Sequence, residues 1–198
     1  MVTVYVVQTG QTTWQQQDRI ETAEGAPLTP DGVEHAREVL ARLNESAVTA
    51  VYAPRGEAER QTAALLAGEL TARVRTAKGL HEFDYGLWQG LLRDEVRRRH
   101  PKVFKKWHRD PGSVRPPEGE TLAEARQRLM VALRGILKRH KQGSIALVLR
   151  PIAAGLVRGI LADGDADDPW SHVDFSAGCR SYEVAGNGKS IPHPARTG

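Results

Sequence analysis

Three short, β-branched apolar runs, at residues 2–7, 48–53 and 145–149, constrain this chain more than any other feature. Each is bounded by polar turns, the pattern of a strand buried on both faces of a parallel sheet. The segments between them carry helical patterns. Thr29 stands as an N-cap with Pro30 at the first helical position, and Val33, Ala36, Leu40 and Leu43 follow on one face. A second helix is predicted over about 57–70. A third opens on Thr121-Leu122-Ala123-Glu124, which has the form of a capping box, and Pro151 opens a fourth through about Leu161. This alternation predicts an α/β three-layer sandwich, a mostly parallel central sheet with helices on both faces. The stretches from Trp170 to Phe175 and from Arg180 to Val184 are expected as edge strands.

At 198 residues the chain suits one domain, expected over 1–185, with a Gly- and Pro-rich ending at 186–198 expected to be a loose tail. Residues 92–118 interrupt the strand-helix alternation. They hold nine Lys and Arg against four acids, whereas the rest of the chain is close to balanced. A basic insertion ending in a Pro-rich loop is a candidate lid, and anything attracted electrostatically should approach there. The longest strongly apolar run is strand-sized, so no membrane helix is expected. No basic and apolar leader precedes the first strand, and the single Cys179 cannot form an internal disulfide. A cytoplasmic location is the expectation.

In open α/β sheets ligands bind outside the carboxyl ends of the strands. Residues 8–15, 54–60 and 150–152 follow strands and should converge on one crevice. Along the chain run Val7-Gln8-Thr9-Gly10-Gln11-Thr12, Pro27-Leu28-Thr29-Pro30-Asp31-Gly32, Arg60-Gln61-Thr62-Ala63, Leu80-His81-Glu82-Phe83-Asp84-Tyr85-Gly86-Leu87-Trp88-Gln89-Gly90 and Pro116-Pro117-Glu118-Gly119-Glu120-Thr121. Each is weak alone, but together, in this order and spacing, they resemble the histidine phosphatase, or phosphoglycerate-mutase-like, superfamily over roughly residues 2–185. The resemblance implies that family's fold and, as its activity, phosphomonoester hydrolysis or phosphoglycerate mutation. It also implies five site residues: a nucleophilic histidine, two arginines and a second histidine that hold the phosphoryl oxygens, and a glutamate that serves as general acid and base.

Carried over position by position, the first arginine falls on Gln8, the nucleophile on Thr9, the second arginine on Ala58, the glutamate on Glu82 and the second histidine on Arg150. Only Glu82 keeps its family identity. A neutral amide and a hydroxyl cannot replace a guanidinium and an imidazole, so no catalytic residue is expected in this vestigial pocket. Thr9 would need a neighbouring base, and none is evident. Arg150 retains a positive charge; it either binds a phosphate or carboxylate or pairs internally with Glu82. Pro151 removes a backbone N–H that could have faced an anion. Arg55 is a second candidate for anion binding. His81 is the only histidine weighed as a substitute nucleophile. No metal-ligand spacing occurs among the seven histidines, and no cofactor is implied.

The leading expectation is a catalytically inactive family member that keeps anion or partner binding near Arg150. One alternative is a phosphatase working through His81 or Thr9 with Glu82. Another is binding of nucleic acid or an acidic partner through 92–118, where Arg97-Arg98-Arg99, Phe104 and Lys105-Lys106-Trp107 lie; a solvated helical lid is favoured over nucleic-acid binding, because no recognised nucleic-acid module surrounds the segment. A phosphate-containing small molecule or a protein partner fits this reading, as does a homodimer, and a membrane partner does not.

Overall fold

In the computed structural model, which describes residues 1–43, 46–162, 172–174 and 178–186, the apolar runs form the middle of a five-stranded sheet. The strands are β1 (Val2–Gln8), β2 (Val48–Ala53), β3 (Arg73–Thr76), β4 (Gly143–Leu149) and β5 (Cys179–Val184), in spatial order β3-β2-β4-β1-β5. β1, β2, β3 and β4 are parallel, and β5 runs antiparallel against β1. β1 and β4 pair without a shift from Val2 opposite Gly143 to Gln8 opposite Leu149. Their carboxyl ends therefore stop level with each other.

The period of two in the central strands divides the core. Val2, Val4, Val6, Ile145, Leu147 and Leu149 face one side, where α6 (Leu122–Leu137) and α7 (Pro151–Ala162) cover them. Val7, Ala146, Val148 and Val51 face the other, under α2 (Pro30–Leu43) and α3 (Glu57–Leu70). The capping expectations hold in detail. Thr29 accepts from the Gly32 amide at 3.0 Å, and Thr121 and Glu124 form a reciprocal capping box. A short helix α1 (Thr13–Gln16) after β1, capped by Thr12, was not foreseen.

β3 was also missed. All four of its residues are exposed, so an edge strand reading Arg-Val-Arg-Thr lacks the apolar face that reveals the others. The strand expected from Trp170 to Phe175 lies mostly outside the described residues, and its described part, 172–174, is turn and coil. Residues 187–198 of the expected tail also lie outside them. Among the described residues no helix is long and apolar enough to cross a membrane, and no group of three or more His, Cys, Asp or Glu could hold a metal.

The basic insertion folds as α4 (Arg93–Arg99) and α5 (Pro101–Arg109), with the chain restarting at Pro101 as expected. It is anchored to the body. Trp107 of α5 is buried and packs against Phe83, Tyr85 and Trp88 with ring centroids 5.3, 5.6 and 6.4 Å away. At its entry, Ile20 and Leu91 and then Arg93 and Asp18 bond backbone to backbone at 2.9 Å, and the Arg93 side chain pairs with Asp18 at 3.3 Å.

Candidate functional site

Level strand ends place Thr9 beside the start of α7: the Thr9 amide donates to the Leu149 carbonyl at 2.9 Å, and Arg150 comes next. Ala58 enters from the first turn of α3, next to Glu59, and Glu82 enters from the loop after β3. The five matched positions come together at the carboxyl end of the sheet, and all are buried: Gln8 1%, Thr9 3%, Ala58 0%, Glu82 2% and Arg150 0% exposed. The Arg150 side chain is fully buried there, while Thr9 and Pro151 also border an open cleft.

Arg150 donates from Nε to Glu59 Oε1 at 2.8 Å, from Nη1 to Glu21 Oε2 at 3.0 Å and from Nη2 to the Ala23 carbonyl at 3.3 Å. Internal pairing is thus what Arg150 does, and its partners are Glu21 and Glu59 in place of the expected Glu82. A fully enclosed guanidinium whose fork is committed to two carboxylates offers no open seat to a further anion. Two glycines make the room. At Gly25, with φ of +68°, a Cβ would press on the guanidinium, and at Gly56 it would meet the Glu59 carboxylate.

The carboxylates are held in turn. Thr12, which caps α1, donates its hydroxyl to Glu21 Oε1, and Glu59 sits in the first turn of α3, where the helix dipole favours negative charge. Glu82 accepts from the Phe83 amide at 2.8 Å and from the Ala153 amide, in the first turn of α7, at 3.4 Å. Burial outweighs these amides and the attraction of Arg150, and lifts the Glu82 carboxyl to about 7. Burial likewise raises Glu21, against the pull of Arg150. Three carboxyl groups thus surround a single guanidinium, where a cationic phosphate cradle would need several cations around one anion.

Among the described residues the Thr9 hydroxyl makes no hydrogen bond and meets no base. The Glu82 carboxyl points into the Arg150 cluster, whereas the His81 ring lies partly exposed, with Nδ1 2.9 Å from the Glu82 carbonyl. The two side chains do not form an acid-nucleophile pair. Burial pushes the Cys179 thiol up to about 11, so it offers no thiolate at neutral pH. Thr9 and Pro151 line an open cleft of about 660 Å³ together with Gln11, Asp31, His35 and Arg93, and Arg55 and His81 line a separate one. Glu21 and Glu59 were not singled out from sequence. The available signal was physical: an arginine ending a buried strand requires carboxylate partners, and Glu59 adjoins Ala58, one of the matched positions.

A family model described as "Histidine phosphatase superfamily (branch 1)" matches residues 4–191. The chain belongs to the histidine phosphatase superfamily. Within it, the chain is 24% identical over 184 residues to phosphoserine phosphatase 1 of Hydrogenobacter thermophilus, covering 93% of this chain and 86% of that protein. It is 28% identical over 155 residues to a probable phosphoglycerate mutase, GpmB, of Serratia proteamaculans, covering 78% and 72% of the two chains. The solved structure of Bacillus stearothermophilus YhfR superposes with a TM-score of 0.85 at 25% identity, over 94% of this chain and 93% of that one. This histidine phosphatase superfamily member thus has a five-stranded, mostly parallel α/β fold, with an arginine-carboxylate cluster built on the matched position Arg150.

Proposed function

We propose that this protein is a histidine phosphatase superfamily pseudoenzyme in which the phosphate seat has become a structural ion-pair cluster. The observation that carries this reading is the complete burial of Arg150 between Glu21 and Glu59. The nucleophile and both cradle arginines are replaced, and the remaining cation is neutralised by acids that the fold holds in place. Glu82, without a nucleophile, has no leaving group to protonate. A panel of phosphoserine, 3-phosphoglycerate and p-nitrophenyl phosphate tests the reading. No turnover above that of Glu82→Gln protein is expected; turnover that Thr9→Ala or Glu82→Gln abolishes would overturn it. The phosphatase alternative through Thr9 or His81 draws no support from the placement of those side chains.

Binding through the basic insertion has a more specific basis. Three of the four arginines of α4 are spent on their own helix, Arg97 and Arg98 on Asp94 and Arg99 on Glu95, and Arg93 pairs with Asp18. On α5, Lys102, Lys105, Lys106 and Arg109 line one depression, with Asp110 as its acid, and the four cations make no ion pair among the described residues. This face suits an acidic protein partner, docked by charge. Lys102→Glu with Lys106→Glu should abolish a pull-down that rising salt also weakens; capture insensitive to both would remove this reading, and capture of nucleic acid in place of protein would redirect it.

A further inference from the structure

The carboxyl ends of β2 and β3 form a cleft of about 420 Å³ with a small apolar floor of Ala23, Pro54 and Ala77. Arg55, Lys78 and His81 stand around it. Neither Arg55 nor Lys78 makes an ion pair among the described residues, which sets them apart from Arg37, Arg60, Arg97, Arg98 and Arg99, each paired to an acid on its own helix. Glu24 is the single acid on the wall.

The backbone around the cleft is fixed from several sides. The Ala77 amide donates to the Ala53 carbonyl at 2.8 Å, tying the β3 exit to β2. Arg128 of α6 donates from Nη1 to the Gly79 and His81 carbonyls at 2.8 and 2.9 Å, which clamps the loop carrying Lys78 and His81. Across the cleft, the Glu57 amide donates to the Glu24 carbonyl at 2.7 Å, and Arg150 holds the Ala23 carbonyl. The buried cluster that closes the matched pocket therefore also shapes one wall of this one. His81 is oriented as well. A carbonyl only accepts, so Nδ1 carries the proton toward Glu82 O, and Nε2 is the ring nitrogen left to meet a ligand.

From this convergence we propose that the cleft is a binding site for a small organic anion, a phosphate monoester or carboxylate with an apolar body. Arg55 would take two oxygens through its planar fork, Lys78 would add a second positive charge, and the floor would bury the apolar part; His81 Nε2, an acceptor in the neutral ring, would donate a third hydrogen bond only as the imidazolium. Two cations at strand ends, around small apolar residues, are what such a ligand needs, and the matched positions Gln8, Thr9, Ala58, Glu82 and Arg150 are not among the residues that line this cleft.

Calorimetry with phenyl phosphate, benzoate and inorganic phosphate tests the proposal on the full chain. Phenyl phosphate or benzoate should bind, inorganic phosphate more weakly for want of an apolar body, and the preference between the first two assigns the head group. Arg55→Gln and Lys78→Gln, both at exposed side chains that leave the core untouched, should each weaken binding by about tenfold or more, the size of one lost charge-assisted hydrogen bond. Thr9→Ala, on the other cleft, should leave affinity unchanged, and the His81 ring resonances should shift on titration. Absence of binding by phenyl phosphate and benzoate at millimolar concentration, or equal affinity in the Arg55→Gln/Lys78→Gln double variant, would overturn it.

Discussion

Arg150 Nε and Glu59 Oε1 meet at 2.8 Å with both side chains completely excluded from solvent. Such a pair need not be stabilising overall, since each ion loses its hydration, but breaking it from one side leaves a charge stranded. Arg150→Met should therefore destabilise the protein by about 3–5 kcal/mol, read as a lower denaturant midpoint at unchanged slope. Adding Glu59→Gln and Glu21→Gln should restore much of that loss. A triple variant no more stable than Arg150→Met would show that shape complementarity, and not charge, governs the cluster.

The elevated Glu82 carboxyl gives stability a pH dependence of definite sign. Between about pH 4.5 and 7 the unfolded chain has lost this proton while the folded chain keeps it. Stability therefore falls as pH rises through that window and levels off above it. At about 1.4 kcal/mol per pKa unit the full effect is roughly 3 kcal/mol. Glu21, also raised, adds in the same direction. Urea denaturation from pH 5 to 8 should show the decline, and Glu82→Gln should flatten much of it.

The sheet centre, the four long helices and their caps were legible because burial on both faces and helical amphipathicity leave periodic marks in sequence. Exposed β3 leaves none. At the site, matching positions located Gln8, Thr9, Ala58, Glu82 and Arg150, and the fold brings them together. The choice between an open anion seat and an internal pair at Arg150 was not legible, because it depends on Glu21 and Glu59, 129 and 91 residues away. Contacts at that separation are set by register and packing, which motif spacing does not encode.

Trp107 is the buried aromatic anchor of α5, beside Val96 of α4 and the contacts between Arg93 and Asp18 at the entry of the insertion. Trp107 is 7% exposed and closes an aromatic group with Phe83, Tyr85 and Trp88. Trp107→Ala should cost about 3–5 kcal/mol through the lost burial and the cavity left behind. Because Trp107 is the buried side chain that α5 sets into the body, the variant should also be cut faster by trypsin between 98 and 109 than elsewhere. Uniform acceleration of cleavage across the chain would mean that the insertion and the body unfold together.

Reinstalling the missing groups tests whether the intact fold lacks only its chemistry. Gln8→Arg and Ala58→Arg supply the cradle, Thr9→His the nucleophile and Arg150→His the second histidine. Ala58 is fully buried and adjoins Glu59, so the new guanidinium would be captured by that carboxylate unless Glu59→Ala accompanies it. With all five changes, hydrolysis of p-nitrophenyl phosphate should rise at least about 100-fold above the parent, the lower end of what one restored catalytic group gives. Leaving Glu59 in place should hold activity near the parent level, and adding Glu82→Gln to the five-fold variant should remove most of the gain, since Glu82 alone can then protonate the leaving group. Equal activity with and without Glu59 would show that this acid does not hold the site closed to phosphate.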